Sequence, residues 1–243
     1  MFIKPNTLAS NFNLGQPVSE FIQFFTCDYA LAHYKDDLFL ELLIDFPASL
    51  QKSRNKRKSD FLAGRYCASL ALKYFNYKNL QVPIGTHRSP SWPTGVHASI
   101  SHCNGVAICA MAESTRLDYL GVDLECIDDV SAISGDIKTS LLSPSEEQLI
   151  NSAAMLGSID KTVSLSLVFS AKESLFKALY YSVACYFDFK AAELVELEPT
   201  KGSFTLSLSK ELAHNLPRHK KIAGRFIIWE GYIVTCVYQL SCN

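Results

Sequence analysis

Apolar side chains recur at helical spacing through Phe61, Leu62, Ala68 and Leu72, inside a stretch rich in Ala, Leu, Arg and Lys. This pattern predicts one amphipathic helix over residues 55–75, with Gly64 a weak point worth about 1 kcal/mol relative to alanine. Upstream, the apolar run Phe21, Ile22, Phe24, Phe25 predicts a strand over residues 19–27, after a loosely structured lead-in (1–20) holding Pro5, Gly15 and Pro17. Prolines and Gly85 make residues 83–93 a loop, and strands are expected at 97–102, 106–112 and 119–126. The pattern turns helical around 130–165. There Ser143-Pro144-Ser145-Glu146 supplies a cap, a proline in the first turn and an acid three residues past the cap. Ser170-Ala171-Lys172-Glu173 reads as a second helix start, running to about Val183. The last fifty residues predict strands at 192–197, 204–208, 224–229 and 232–238, with Glu230-Gly231 turning the final pair into a hairpin. Helices and strands alternate without a βαβ rhythm, so the expected class is α+β.

Composition narrows the function classes. With 48% hydrophobic and 19% charged residues the chain can bury a sizeable core, which excludes intrinsic disorder for most of it. The longest apolar runs carry charges and fall short of the ~20 residues of a membrane span. The N-terminus has no apolar segment of the secretory kind. A soluble, cytoplasmic protein without a transmembrane segment is expected. Net charge is −1, so any phosphate site must come from local clustering. Five cations crowd residues 52–58, but no aromatic residue interleaves them, and nucleic acid is not an expected partner. None of the eight cysteines has CxxC spacing, which favours buried thiols in a reducing compartment over disulfides or zinc.

Four groups could carry chemistry. In a strand, Asp123 and Glu125 of Gly121-Val122-Asp123-Leu124-Glu125 project to one face while Val122 and Leu124 bury on the other. Paired carboxylates repel unless a cation lies between them, and Mg²⁺ or Mn²⁺ suits oxygen ligands; the plain alternative is an acidic wet face of a half-exposed strand. Glu173 and Lys177 stand at i, i+4, the favourable order for a helix-surface ion pair, and Glu173 could close a capping box with Ser170. Their functional alternative is a third metal carboxylate followed by a phosphate-binding lysine. Lys172 points about 100° away and is expected to be solvated. His102 ends an alternating strand before the Asn104-Gly105 turn. Arg57, Lys58 and Arg65 lie on the 55–75 helix, and Arg88 in the proline-rich loop.

Taken in order, the motifs R-K-x-x-F-L-A-G-R (from Arg57), P-x-W-P-x-G-x-x-x-S-I-S-H-C (from Pro90), G-V-D-L-E (from Gly121) and F-S-x-K-E-S-x-x-K (from Phe169) resemble the Sfp-type 4′-phosphopantetheinyl transferases. The resemblance spans about residues 54–180 and is closest to the enterobactin-synthase branch. It implies two pseudo-symmetric α+β halves, 1–118 and 119–243, with the active site between them; no internal sequence repeat shows this independently. It implies Mg²⁺-dependent transfer of the 4′-phosphopantetheine group of coenzyme A to a serine of an apo carrier protein (peptidyl, aryl or acyl), releasing adenosine 3′,5′-bisphosphate. By position, Asp123, Glu125 and Glu173 match the metal-binding acids and Lys177 the lysine that meets a coenzyme A phosphate. His102 matches the histidine at the pyrophosphate, and Arg57 and Arg65 basic residues at the nucleotide and its 3′-phosphate. Arg88 falls near a further basic position, with insertions or deletions around it. Glu173 or a metal-bound water would take the serine proton. Carriers of siderophore peptide synthetases are the favoured clients, with polyketide and fatty-acid synthases open. The carrier surface is expected among the 130–165 helices, and a monomer is expected. The rival reading is a non-catalytic module of the same fold that binds coenzyme A or a carrier; the four intact acidic and basic positions argue against it.

Overall fold

The computed structural model describes residues 1–12, 14, 18–131, 141–183, 186–214, 216 and 220–241. It separates into two compact units, Met1–Arg116 and Leu117–Asn243. Each has its own hydrophobic core, and each combines one antiparallel sheet with helices, the α+β class. The division expected at 118/119 falls inside the first strand of the second unit, Leu117–Cys126.

In the first unit, strands β1 (Ile3–Lys4), β2 (Gln23–Tyr29), β3 (Val96–Cys103) and β4 (Val106–Glu113) form a sheet of order β1-β2-β4-β3. Short helices α1 (Leu8–Asn11), α2 (Val18–Phe21) and α3 (Leu38–Glu41) precede the long α4 (Asn55–Tyr74). The lead-in is more ordered than its prolines and asparagines suggest. β1 pairs with β2, and Leu8 and Phe12 are buried. Residues 18–21 are helical, so the strand expected from Ser19 begins at Gln23. α4 lies on β2, β3 and β4 through Leu62, Cys67, Ala68, Ala71 and Leu72. Gly64 has a packing reason: a Cβ there would come within 2.9 Å of Ile100 Cγ2 on β3.

In the second unit, β5 (Leu117–Cys126), β6 (Ala192–Glu198), β7 (Ser203–Leu208), β8 (Lys221–Trp229) and β9 (Tyr232–Leu240) assemble in the order β5-β9-β8-β7-β6. Glu230 and Gly231, both at positive φ, make the tight turn between β8 and β9. Helices α5 (Ile127–Ser131), α6 (Pro144–Met155), α7 (Lys161–Val183) and α8 (Lys210–His214) complete the unit. Ser143 and Glu146 form the expected capping box of α6. Residues 132–140, within the stretch expected to face the carrier, lie outside the described residues. No helix among the described residues is long and apolar enough to cross a membrane.

Two expectations about α7 are overturned. The helix starts at Lys161, so Ser170 is not a cap but an interior residue whose hydroxyl meets Thr235 Oγ1 at 2.9 Å. Lys172 is not solvated. It is 4% exposed and ion-paired to the fully buried Glu146 at 2.9 Å, and it also donates to the Leu141 carbonyl. α7 is buried on nearly all sides, so the outward angle of Lys172 leads into protein instead of water.

Candidate functional site

The second unit gathers four of the predicted residues. Opposed residues of an antiparallel pair share a sheet face, and Asp123 on β5 lies opposite Thr235 on β9. Thr235 donates to the Ser170 carbonyl at 2.9 Å and lies 3.1 Å from Ser174 Oγ, so α7 covers this face. The small stripe Ser170, Ser174, Ala178 lets helix and strand approach closely, and Gly121 completes the fit. A Cβ at 121 would fall 2.0 Å from the Ser174 carbonyl oxygen and 2.6 Å from Ala178 N. Asp123 is therefore 2% exposed, under a helix and not on the wet face its strand alternation allowed.

From α7, Lys177 reaches Asp123 Oδ1 at 2.6 Å, while 26% of its own side chain remains accessible. The i, i+4 surface pairing of Glu173 with Lys177 is thus replaced by a pairing of Lys177 with the strand. Glu173, one turn earlier, stays half-buried. Burial and then Asp123 raise its carboxyl above the ordinary value, with Lys177 opposing. Glu125 is pushed up to about 8, mainly by burial and then by Asp123, against the pull of Lys177; Glu173 and Asp129 add to the rise. Asp123, Glu125, Glu173 and Lys177 thus form one electrostatic cluster, with more acid than its single ammonium neutralises. Among the described residues, no three His, Cys, Asp or Glu side chains stand closely enough to enclose a metal ion. The donor chemistry does fit one: three carboxylates, of which Glu125 and Glu173 are raised by burial and by Asp123, are a hard-oxygen set for Mg²⁺ or Mn²⁺.

The first unit gathers the other four. Arg57, Asp60, Phe61, Gly64 and Arg65 are spaced i, i+3, i+4, i+7, i+8 on α4, a single helix stripe. With Arg88 from the loop and Ile100 and His102 from β3 they line a cavity of about 550 Å³. Arg57 and Arg88 are exposed. Arg65 is 8% exposed, donates from Nε to the Val82 carbonyl at 2.7 Å and lies over the Phe61 ring at 4.5 Å. Arg88 takes a positive φ of 67° in the Thr86–Arg88 turn. Lys58, grouped with these cations in the sequence, is diverted: buried, it donates to Asp36 at 2.9 Å. Three guanidinium groups and an imidazole around one cavity suit a polyanionic ligand.

Sequence reading missed Asp60, the carboxylate among these cations. It accepts from the Tyr29 hydroxyl at 2.7 Å and from Lys56 at 3.1 Å, and its Oδ2 lies 4.0 Å from His102 Nδ1. Its place on the Arg57–Arg65 stripe was a usable signal, because that stripe is too polar to be core. The Glu146–Lys172 pair was missed as well; it joins α6, α7 and β6 through Glu146, which also accepts from Leu194 N at 2.7 Å. Six described cysteines are free, and Cys67 meets Cys27 sulfur to sulfur at 3.5 Å inside the first unit.

Comparison with known proteins finds family matches in both units. Residues 46–112 match the family described as 4'-phosphopantetheinyl transferase N-terminal domain, and residues 119–237 the 4'-phosphopantetheinyl transferase superfamily. Enterobactin synthase component D of Escherichia coli (strain K12) is 36% identical over 131 residues, 54% of this chain; the match spans 59% of that protein's length. The 4'-phosphopantetheinyl transferase Svp of Streptomyces mobaraensis is 30% identical over 218 residues, covering 86% of this chain and 83% of Svp. Among solved structures, the Helicobacter pylori holo-[acyl-carrier-protein] synthase in complex with coenzyme A overlaps 50% of this chain and 99% of its own, at 22% identity and a TM-score of 0.39.

Proposed function

The chain belongs to the 4′-phosphopantetheinyl transferase superfamily, and from that premise we propose that it transfers the 4′-phosphopantetheine arm of coenzyme A to a serine of an apo carrier protein. The observation that carries this reading is the convergence of G-V-D-L-E and F-S-x-K-E-S-x-x-K on one acidic cluster, with Lys177 Nζ 2.6 Å from Asp123 Oδ1.

In the proposed reaction the serine oxygen forms a bond to the β-phosphorus of coenzyme A, the bond from that phosphorus to the bridging oxygen breaks, and adenosine 3′,5′-bisphosphate departs with the electron pair. Such transfers need alignment and charge neutralisation more than covalent help. Asp123, Glu125 and Glu173 would hold Mg²⁺, which when bound supplies positive charge at the diphosphate. Glu173 is assigned to take the serine proton. Lys177 and His102 donate to diphosphate oxygens as charge builds on them, and Arg57, Arg65 and Arg88 grip the nucleotide and its 3′-phosphate, where guanidinium offers paired donors. Client carriers are assigned to siderophore peptide synthetases, following the relationship to the enterobactin protein. The protein is read as a monomer in a reducing cytoplasm, in keeping with its free thiols.

The test is mass spectrometry of an apo peptidyl carrier incubated with the protein, coenzyme A and Mg²⁺. A mass gain of one phosphopantetheine arm on the carrier serine, abolished by EDTA and restored by Mg²⁺, is the expected result. An unchanged mass across a panel of apo peptidyl, aryl and acyl carriers overturns the reading in favour of a binding module.

A further inference from the structure

Asp60 is the one carboxylate among the described residues lining the cavity of the first unit, whose lining also holds Arg57 and Arg65 from α4, Arg88 from the loop and His102 from β3; Lys56 of α4 pairs with it. An acid at the edge of an anion-binding cavity opposes the ligand's charge unless it acts on something else. Its surroundings say what that is. The carboxylate is 7% exposed and sits on the interior of α4, its Oδ1 held by the Tyr29 hydroxyl at 2.7 Å. Burial and the contact with Asp60 push the Tyr29 hydroxyl well above its usual range, so it stays a donor. Oδ2 is left facing Lys56, whose side chain is 64% exposed and therefore screened, and His102 Nδ1 at 4.0 Å, at a site only 30% exposed. The three arginines that share the cavity work against a further positive charge on the imidazole, and the Asp60 carboxylate opposes that effect.

We propose that Asp60 is a positioning residue for His102: tethered by Tyr29, it holds the imidazole charged and oriented so that the other ring nitrogen presents its N–H to the anionic ligand of the cavity. This rests on the reading of that cavity as the nucleotide and diphosphate site. Asp60 touches no reacting atom in the scheme, and its effect passes through the histidine.

The experiment follows the His102 imidazole by heteronuclear NMR in the ligand-free protein, with His102→Gln assigning the signal. In Asp60→Asn the titration midpoint of His102 falls by about one unit, the size of shift an opposite charge at this distance produces. In Lys56→Ala, a change at an exposed position, the midpoint rises because a competing cation is gone. In transfer assays Asp60→Asn lowers kcat/KM for coenzyme A several-fold at pH 7.5, kcat included, because the imidazole donates to oxygens on which charge builds. The difference shrinks at pH 6, where the imidazole is charged without help. A folded Asp60→Asn whose His102 midpoint does not move overturns the proposal, and so, where that variant does not fold, does an unmoved midpoint in Lys56→Ala. Because the titration needs neither coenzyme A nor carrier, the two readings fail separately. A shifted His102 in a protein that transfers nothing refutes the transferase assignment alone, and an unshifted one in an active protein refutes the role of Asp60 alone.

Discussion

Replacing Gly121 by alanine should destabilise the second unit, against the ordinary sign of such a change. In a strand interior, Gly→Ala usually stabilises by about 0.5–1 kcal/mol, because glycine loses more backbone freedom on folding. The backbone at 121 is not at positive φ, so alanine meets no conformational strain there; the obstacle is contact. The new Cβ would sit 2.0 Å from the Ser174 carbonyl oxygen, where ordinary contact begins near 3.4 Å, so α7 must retreat by about 1.4 Å. The obstructing atoms at Ser174 and Ala178 are mostly backbone and cannot rotate away. A retreat of that size stretches the Thr235 contacts to Ser170 and Ser174, now 2.9 and 3.1 Å, beyond hydrogen-bond range, and likewise the Lys177–Asp123 contact at 2.6 Å. Overpacking costs about 1–3 kcal/mol and each lost buried hydrogen bond about 1 kcal/mol. The expected destabilisation is therefore about 3–5 kcal/mol, read as a lowered urea midpoint by circular dichroism. The displaced Lys177 and Glu173 should also lower transfer by at least tenfold in whatever fraction remains folded. A Gly121→Ala protein that unfolds at the same or higher urea, with activity within twofold, would refute the close-approach account of this site.

Other outcomes follow from the same geometry. Asp123→Ala should abolish transfer while the protein remains folded; appreciable turnover in a folded variant removes the cluster from the reaction. Lys177→Ala should lose about 2–4 kcal/mol of transition-state stabilisation, the scale for one lost charged donor, measured as kcat/KM; a change under twofold counts against its role. Lys172→Ala leaves Glu146 buried without its ammonium and should cost about 3–5 kcal/mol in urea unfolding, whereas Lys172→Met with Glu146→Gln should recover much of that. A single variant costing under about 1 kcal/mol would refute the importance of the pair. Without divalent metal, Glu125 titrates near 8 in the folded protein against an ordinary 4.5. The folded state then holds a proton the unfolded state lacks, and stability falls as pH rises through that window. Mg²⁺ should accordingly raise the melting temperature more at pH 8 than at pH 5.5, and an equal or reversed effect would contradict a cation among these carboxylates.

The strands and long helices were legible because each is patterned locally: alternation along β7 and β8, continuous apolar runs along β4 and β9, helical recurrence along α4, the Ser143–Glu146 capping box, the Glu230-Gly231 turn. What failed depended on partners far away in sequence. Ser170-Ala171-Lys172-Glu173 carries every local mark of a helix start, yet nine helical residues precede it, because Leu165, Leu167 and Val168 are buried in the same core as the rest of α7. Lys172 looked solvated because nothing near it announces Glu146, 26 residues away and buried. At the site, motif spacing identified the residues, but whether Asp123 faced water depended on whether a helix lay over β5, and only Gly121 hinted at that.

α7 explains why recognition of the motifs and knowledge of their geometry come apart here. Ser170, Ser174 and Ala178 recur every four residues and form the stripe that presses on Gly121 and Thr235. Glu173 and Lys177 keep the same interval one position earlier, and so run along the flank of that stripe, where Asp123 and Glu125 emerge from the strand. Lys172, about 100° round the helix from Glu173, lies on a further, buried row where Glu146 holds it. Three adjacent rows on one helix thus have three tasks: close packing, charge at the site, and anchorage to α6. Each constrains the angle of the others. If that coupling is the reason F-S-x-K-E-S-x-x-K reads as a unit, substitutions in the packing row or at Lys172 should disturb the cluster without touching it. The carboxylates themselves should be replaceable at little cost to stability, since one ammonium cannot balance three of them.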